Sequence, residues 1–340
     1  MRAVAGAVLE WTAEGRRFAL ATVVQTRGSS PRPTGACMAV RDDGLSVGSV
    51  SGGCVEGAVI TEALSVLGDG RPRLLEFGEA SDDGWEVGLS CGGGIQVWVE
   101  RPALEEDGPD GTGWWDVLRM ADEGLACVRV ASLDPNRPTH LVWSPTGASS
   151  GGLLPAVEAA RSAWGRREDG VAEVEGVPCF VHVMPAPDRL LIVGAVHIAV
   201  PLVRLARDLG FTSVVVDPRA AFATAERFPD PPDLLVAEWP QDALCGFPPD
   251  EETYAILLTH DPKIDDPALE ILLRSPAPYI GALGGRSTQA SRRERMRAKG
   301  FSEEDLDRIR GPVGLAIGAR TPEEIALAIL AEIVQVKRMR

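Results

Sequence analysis

A chain of 340 residues with 45 % apolar side chains can fill two hydrophobic cores, so a globular protein of two domains is expected. The formal net charge of −15 and the sequence pI near 4.8 argue against nucleic acid or an anionic membrane as the main partner. Six scattered cysteines, Cys37, Cys54, Cys91, Cys127, Cys179 and Cys245, form no Cys-x-x-Cys pair and no Cys/His zinc spacing, which points to reduced thiols in a cytoplasm.

The start, MRAVAGAVLEW, has too short an apolar run before Glu10 for a signal peptide. Short strands then alternate with glycine-rich loops. Strands are predicted over residues 18–25 and 37–40, a helix over 54–67, and strands over 73–77 and 95–100, a mixture that reads as an α+β domain. Residues 102–113 form an acidic Pro/Gly-rich break, followed by a helix over 114–123 and strands over 125–131 and 139–143. No internal repeat is visible.

Composition shifts at Pro185-Ala186-Pro187, placing a domain boundary there, with domains over 1–186 and 187–340. Beyond it the chain has a βαβ rhythm: strand 189–193, helix 198–209, strand 213–217. Apolar runs over 254–258, 278–283 and 314–318 read as further buried strands of a parallel, doubly wound, Rossmann-like sheet. The most apolar stretch, residues 190–203, is bounded by Arg189 and Arg204 and is too short for a membrane span. Thr321 as N-cap and Pro322 at the first helical position start a last helix whose Ile325, Ala328, Ile329 and Ile333 form a core stripe. The basic run 292–299 reads as a solvated helix face.

Three loops carry the chemistry of the first domain. Residues 46–57, SVGSVSGGCVEG, combine glycines, serine hydroxyls, one thiol and one carboxylate, which suits an anion cradle of backbone N–H groups with a soft ligand, Cys54. The alternative is a glycine-rich turn in which Cys54 is a small buried hydrophobe. Residues 27–35, RGSSPRPTG, and 88–95, GLSCGGGI, have the same character. Candidate binding residues are therefore Gly28, Ser29, Ser30, Arg32, Ser51, Gly52, Gly53, Cys54, Glu56, Cys91 and Gly92.

In the second domain, Gly194-Ala195-Val196-His197 is a strand-to-helix turn with Asp217 at the end of the next strand, near the spacing of a ribose-binding carboxylate. Val196 and Ala199 stand where a dinucleotide fingerprint has its second and third glycines, which weakens NAD(P) as a ligand. His197, Asp217, Arg219, His260 and Gly284 are placed at the carboxyl edge of the sheet, where such folds bind ligands, whereas His140 and His182 are read as structural. No Ser/His/Asp arrangement, HExxH or P-loop is present, so hydrolysis and P-loop chemistry have no support.

With these pieces in order, the chain resembles the xanthine dehydrogenase accessory factor family, XdhC/CoxI. The resemblance rests on Gly28-Ser29-Ser30-Pro31-Arg32, the run from Gly48 to Glu56, Cys91-Gly92-Gly93, Gly194-Ala195-Val196-His197, Val216-Asp217-Pro218-Arg219, Thr259-His260-Asp261 and Tyr279-Ile280-Gly281-Ala282-Leu283-Gly284. It implies a chaperone, without turnover chemistry of its own, that binds molybdenum cofactor (molybdopterin), protects it while a cysteine desulfurase exchanges an oxo for a sulfido ligand, and hands it to a molybdenum hydroxylase client. With that cofactor, the resemblance implies Cys54 as the thiol near metal or sulfur, Cys91 second, and Glu56 as a carboxylate that orients or relays a proton. Self-association is expected of such a chaperone. The competing reading is an NAD(P)-dependent oxidoreductase built on the Rossmann-like domain.

Overall fold

The computed structural model describes residues 1–78, 92–103, 113–137, 140–147, 149–150 and 154–339. The chain divides into two compact units, Met1–Ala186 and Pro187–Arg340.

In chain order the first unit contains α1 (Arg2–Ala13), β1 (Phe18–Arg27), β2 (Cys37–Arg41), β3 (Ser46–Gly48), α2 (Glu56–Asp69), β4 (Arg73–Phe77) and β5 (Gly94–Glu100). It continues with α3 (Trp114–Asp122), β6 (Cys127–Ser132), β7 (His140–Trp143), β8 (Ser149–Ser150), α4 (Leu154–Arg166), β9 (Gly170–Val174) and β10 (Val177–Met184). The first five strands make an antiparallel sheet in the order β3-β2-β1-β5-β4, and the last five make another in the order β8-β7-β6-β10-β9. The two halves are one motif written twice: helix, three strands, helix, two strands, with the same strand order. The repeat lies in topology and burial pattern rather than in a regular residue period.

Each sheet hides one face under its own helix. Ala19, Ala21, Val23, Val97 and Val99 lie under Val59, Ala63 and Val66 of α2, while Val128, Val130 and Val181 lie under Ala156, Ala160 and Ala163 of α4. The spacing i, i+4, i+7 on both helices is the apolar stripe that such packing requires. The opposite faces meet each other. Val24 and Trp98 of one sheet touch Phe180 of the other, and buried Arg129 reaches across to Glu100 at 2.5 Å while stacking over Trp114 at 4.1 Å. Residues of β1 therefore alternate between two buried surfaces, which is why the strand reads as a continuous apolar run.

His182 also lies in this inter-sheet layer, where burial holds its pKa well below the usual imidazole range, so the ring is neutral. A side chain at Gly35 would strike Asp169 Oδ2 at 2.3 Å and His182 Nε2 at 2.8 Å, so the glycine is a packing requirement at the end of the RGSSPRPTG loop.

The second unit contains β11 (Arg189–Val193), α5 (Ala199–Asp208), β12 (Thr212–Val216), β13 (Leu234–Val236), α6 (Pro240–Gly246), β14 (Thr253–Leu257), α7 (Pro262–Arg274), β15 (Tyr279–Ala282), α8 (Arg286–Ala298), α9 (Glu303–Asp307), β16 (Ile309–Arg310) and α10 (Pro322–Met339). The six strands are parallel in the order β13-β12-β11-β14-β15-β16. Leu202 and Val203 of α5 and Ile329 and Ile333 of α10 cover one face, and Leu269, Leu272 and Met296 of α7 and α8 cover the other. This is the doubly wound Rossmann-like arrangement expected from the sequence.

Two expectations are corrected. Residues 314–318 are not a strand: the sixth strand is Ile309–Arg310, and Gly314, at φ +92, lies so close to the Ala328 backbone that a Cβ would sit 3.1 Å from it. Nor is the basic run uniformly solvated. Arg292 is 1 % exposed and forms a buried pair with Asp265 at 3.1 Å, because its position on α8 faces α7.

Candidate functional site

The register of the first sheet brings all three predicted loops to one edge. Thr22 pairs with Cys37, Met38 with Gly48, Arg27 with Gly94, and Phe77 with Ile95. The carboxyl ends of β1, β3 and β4 and the amino end of β5 therefore point the same way, and α2 starts at that edge. The loop after β1 and the loop before β5 cross in contact. A Cβ on Gly93 would lie 2.0 Å from the Ser29 carbonyl oxygen and 2.8 Å from that of Arg27, so only glycine fits there.

Between Gly48 and α2, Gly52 and Gly53 adopt φ of +77° and +119° and curl successive N–H groups inward. The group that fills this nest is the chain's own Glu56. Its carboxylate accepts from the backbone N–H groups of Ser51 at 2.9 Å, Gly52 at 3.0 Å and Gly53 at 2.8 Å, and from the hydroxyls of Ser49 and Ser51. Burial alone would raise the Glu56 pKa, but these donors outweigh it and hold the group down at about 2. In this structure Glu56 is an internal anion of the loop, fully engaged by its donors. The amides of Ser51, Gly52 and Gly53 are likewise engaged internally rather than offered to a phosphate.

The same loop pushes Cys54 outward. Its thiol is exposed, whereas Cys37, Cys127 and Cys179 are buried. Burial raises Cys127 and Cys179 to a pKa of about 11, so neither offers a thiolate near neutral pH. Cys91 lies outside the described residues. In the loop after β1, the Ser30 hydroxyl donates to the Arg32 carbonyl at 2.7 Å, and the Arg32 Nε is buried without a hydrogen-bond acceptor among the described residues. Gly28, at φ +63, passes beside the Gly93 backbone, and Gly92, at φ +71, faces open space.

Beside these loops β1, β4 and β5 line an open cavity of about 420 Å³. Gln25, Gln96 and Glu76 stand opposite one another across the three strands, and the Gln96 amide donates to the Glu76 carboxylate. One step further along, Arg27 stands opposite Gly94, with Gly78 beside it. Sequence reading passed over Gln25, Arg27, Glu76 and Gln96. The available signal was the exposure of polar residues at alternate positions in otherwise apolar strands.

In the second unit the carboxyl ends of β11, β12, β14 and β15 carry the remaining candidates. Gly194, at φ +109, packs against Thr259, and Gly284, at φ +129, packs against Thr288 and His260. His260 is exposed and itself holds a positive φ of 62°, a conformation that non-glycine residues adopt at a cost of about 1–2 kcal/mol. Below it, Thr259 donates to Asp265, which burial holds above the usual carboxylate range, and Arg292 ties Asp265 to Gln289 and to the Leu283 carbonyl. His197 is exposed in the turn just before α5 rather than inside its first turn.

Asp217 is not turned towards a ligand. It is fully buried, accepts from the Ala195 N–H at 2.9 Å, and is gripped by Arg219 at 2.8 and 2.6 Å. Burial would raise its pKa, but the Arg219 contacts and the backbone donors lower it overall. Through the Ala195 N–H it holds the turn after β11.

Residues 190–333 match the XdhC Rossmann domain, and residues 11–78 match the XdhC and CoxI family. The chain is 32 % identical over 95 % of its length to the molybdenum cofactor insertion chaperone PaoD of Escherichia coli, covering 84 % of that protein. It belongs to the XdhC and CoxI family. A protein of Bacillus subtilis named as a probable subunit of xanthine dehydrogenase is 30 % identical over 94 % of this chain and 93 % of its own length. A crystal structure from Bacillus halodurans, described as a xanthine dehydrogenase, has a TM-score of 0.77 at 29 % identity over 99 % of this chain and 96 % of that one. The matched XdhC and CoxI segment contains the nest, Cys54 and the β1 and β4 sides of the cavity, while the XdhC Rossmann match spans Gly194 and His260. No helix among the described residues is long and apolar enough to cross a membrane.

Proposed function

We propose that this protein binds molybdenum cofactor in its N-terminal unit, supports its sulfuration by a cysteine desulfurase and inserts it into a molybdenum hydroxylase of the xanthine dehydrogenase type. The observation that carries the reading is Cys54, an exposed cysteine held at the same end of the sheet as the glycine-rich loop after β1 and the glycines before β5. The relatives point the same way: one is named for cofactor insertion, the other for xanthine dehydrogenase.

The residues present fit the group. A soft thiol suits a thiophilic metal or a sulfur atom. The cavity bordered by glycine has room for a planar ring, and the buried Arg32 Nε lacks an acceptor among the described residues, as a donor awaiting an anion would. When bound, the cofactor supplies the molybdenum redox chemistry of the client enzyme. The chain's own part is to hold, orient and shield: Cys54 contacts metal or sulfur, Glu56 braces the loop that presents it, and the loops bearing Ser29, Ser30, Arg32 and Gly92 close around it.

An NAD(P)-dependent oxidoreductase remains the alternative because the strand order is that of dinucleotide-binding folds. Against it, Val196 puts a side chain where a pyrophosphate approaches, and Asp217 is engaged by Arg219 and Ala195. Calorimetric titration with NADH and NADPH separates the two, micromolar affinity favouring the oxidoreductase.

The direct test is mass spectrometry of the protein isolated from molybdenum-replete cells, together with activation of a cofactor-free client hydroxylase. Wild type is expected to carry pterin and molybdenum and to activate the client, with retention in Cys54→Ala down by about tenfold or more. Wild type without pterin, or a Cys54→Ala variant as competent as wild type, would overturn the reading.

A further inference from the structure

The cavity between β1, β4 and β5 has a composition that selects one kind of ligand. Successive side chains on a strand alternate between faces, so residues two apart share a face. Gln25, Gln96 and Glu76 therefore form one cross-strand row, and Arg27, Gly94 and Gly78 form the next row on the same face. The second row lacks side chains at two of its three positions. A Cβ on Gly78 would approach the Gly94 Cα at 3.4 Å, so the two glycines lie in contact and leave a flat backbone floor.

The polar row offers an unusual set of partners. Glu76 accepts the Gln96 amide through one oxygen and keeps its other oxygen for a ligand, while Gln25 and Gln96 each present both a carbonyl and an NH₂. A carboxylate at the end of a row of two carboxamides matches a heterocycle edge that displays adjacent amino and lactam N–H donors beside a carbonyl acceptor. Arg27, next to the glycine floor, is placed for an anionic substituent.

We propose that this cavity is the seat of the pterin ring: a 2-amino-4-oxo heterocycle lying on Gly78 and Gly94, its donor edge on Glu76 and its carbonyl on the glutamine amides, with Arg27 taking the phosphate. The proposal rests on the cofactor reading above and deepens it by assigning the residues that recognise the organic part of the cofactor. Recognition of the ring is thereby separated from the metal end at Cys54.

Free pterins test it without any client enzyme. Neopterin, which carries the 2-amino-4-oxo edge, is titrated against the full chain by fluorescence, beside lumazine, whose 2-oxo group faces the carboxylate with an acceptor. Wild type is expected to prefer neopterin by about tenfold or more, the value of one well-made polar pair. Glu76→Gln is expected to erase the preference. Gly78→Val, which fills the floor, is expected to weaken neopterin by a similar factor, and Arg27→Ala to weaken neopterin monophosphate while leaving neopterin unchanged. Unaltered neopterin binding in both Glu76→Gln and Gly78→Val, with the variants folded by circular dichroism, overturns the proposal. If those variants also load and activate a client as wild type does, the chaperone reading stands and only this seat falls. If wild type discriminates neopterin from lumazine but never activates a client, the seat stands and the chaperone reading falls.

Discussion

Glu56 stands at the first position of α2 and turns its carboxylate back into the loop that precedes it, where three backbone N–H groups and two hydroxyls converge on it. Its folded pKa of about 2 lies below the value near 4.3 of an unfolded glutamate. A depressed carboxylate contributes stability that is present above the unfolded pKa and is lost as pH falls through the folded one. The difference in unfolding free energy between wild type and Glu56→Gln is therefore expected to be about 1–2 kcal/mol at pH 7, allowing for partial solvent screening. It should shrink between about pH 5 and pH 2. Urea unfolding of both proteins across that range checks it, and a gap that persists at pH 2 would mean that the carboxylate charge is not what the nest holds. The composition SGGCVEG disclosed a nest and a thiol. It could not disclose that the anion in the nest is internal, because that depends on the backbone turning Glu56 through a short arc rather than on which residues are present.

Between elements, the decisive contact is the crossing of the loop after β1 with the loop before β5 at Gly93. There a methyl group would meet backbone oxygens of Ser29 and Arg27, atoms that cannot step aside as the end of a flexible side chain would. Gly93→Ala is expected to lower stability by about 2–3 kcal/mol through overpacking. Gly92→Ala, facing open space at φ +71, should cost only about 1 kcal/mol for its left-handed backbone. Chemical denaturation midpoints of the two variants measure the contrast, and equal midpoints would show that the loops do not cross there. Of the strands around these loops, β1, β2, β4 and β5 were legible from their apolar runs, as were β11, β12, β14 and β15, whereas β3 lay hidden in the glycine-rich run 46–57. What failed was orientation within an element. Asp217 ends β12 at the spacing of a ribose ligand, yet Arg219 and the Ala195 amide turn it inward. Arg292 sits in a basic run, yet one helical step places it against Asp265.

At the scale of the molecule, the first unit is a motif used twice, with the two sheets back to back and a helix outside each. The copies have diverged where the chemistry lies. Before α2 the chain reads Ser51-Gly52-Gly53-Cys54-Val55-Glu56; between β8 and α4 it reads Ser150-Gly151-Gly152-Leu153-Leu154-Pro155, which keeps the serine and glycines and has lost both thiol and carboxylate. One half thus carries the candidate site and the other serves as its support, and the support is thermodynamic. Leu20, Val24 and Trp98 are each at most 3 % exposed in the assembled unit. Burial of such side chains contributes about 1.5–3 kcal/mol each, which for three is comparable to the 5–15 kcal/mol that stabilises a whole domain. A fragment of residues 1–103 is therefore expected to bind an apolar dye and to melt without a cooperative transition, although it contains every predicted site residue of the first unit. Fragments 1–186 and 187–340, each holding complete cores of its own, should melt cooperatively when expressed separately. Calorimetry of the three fragments decides the matter. A cooperative transition in 1–103 would mean that the site-bearing copy is self-sufficient and that the second copy is retained for some purpose other than covering the first.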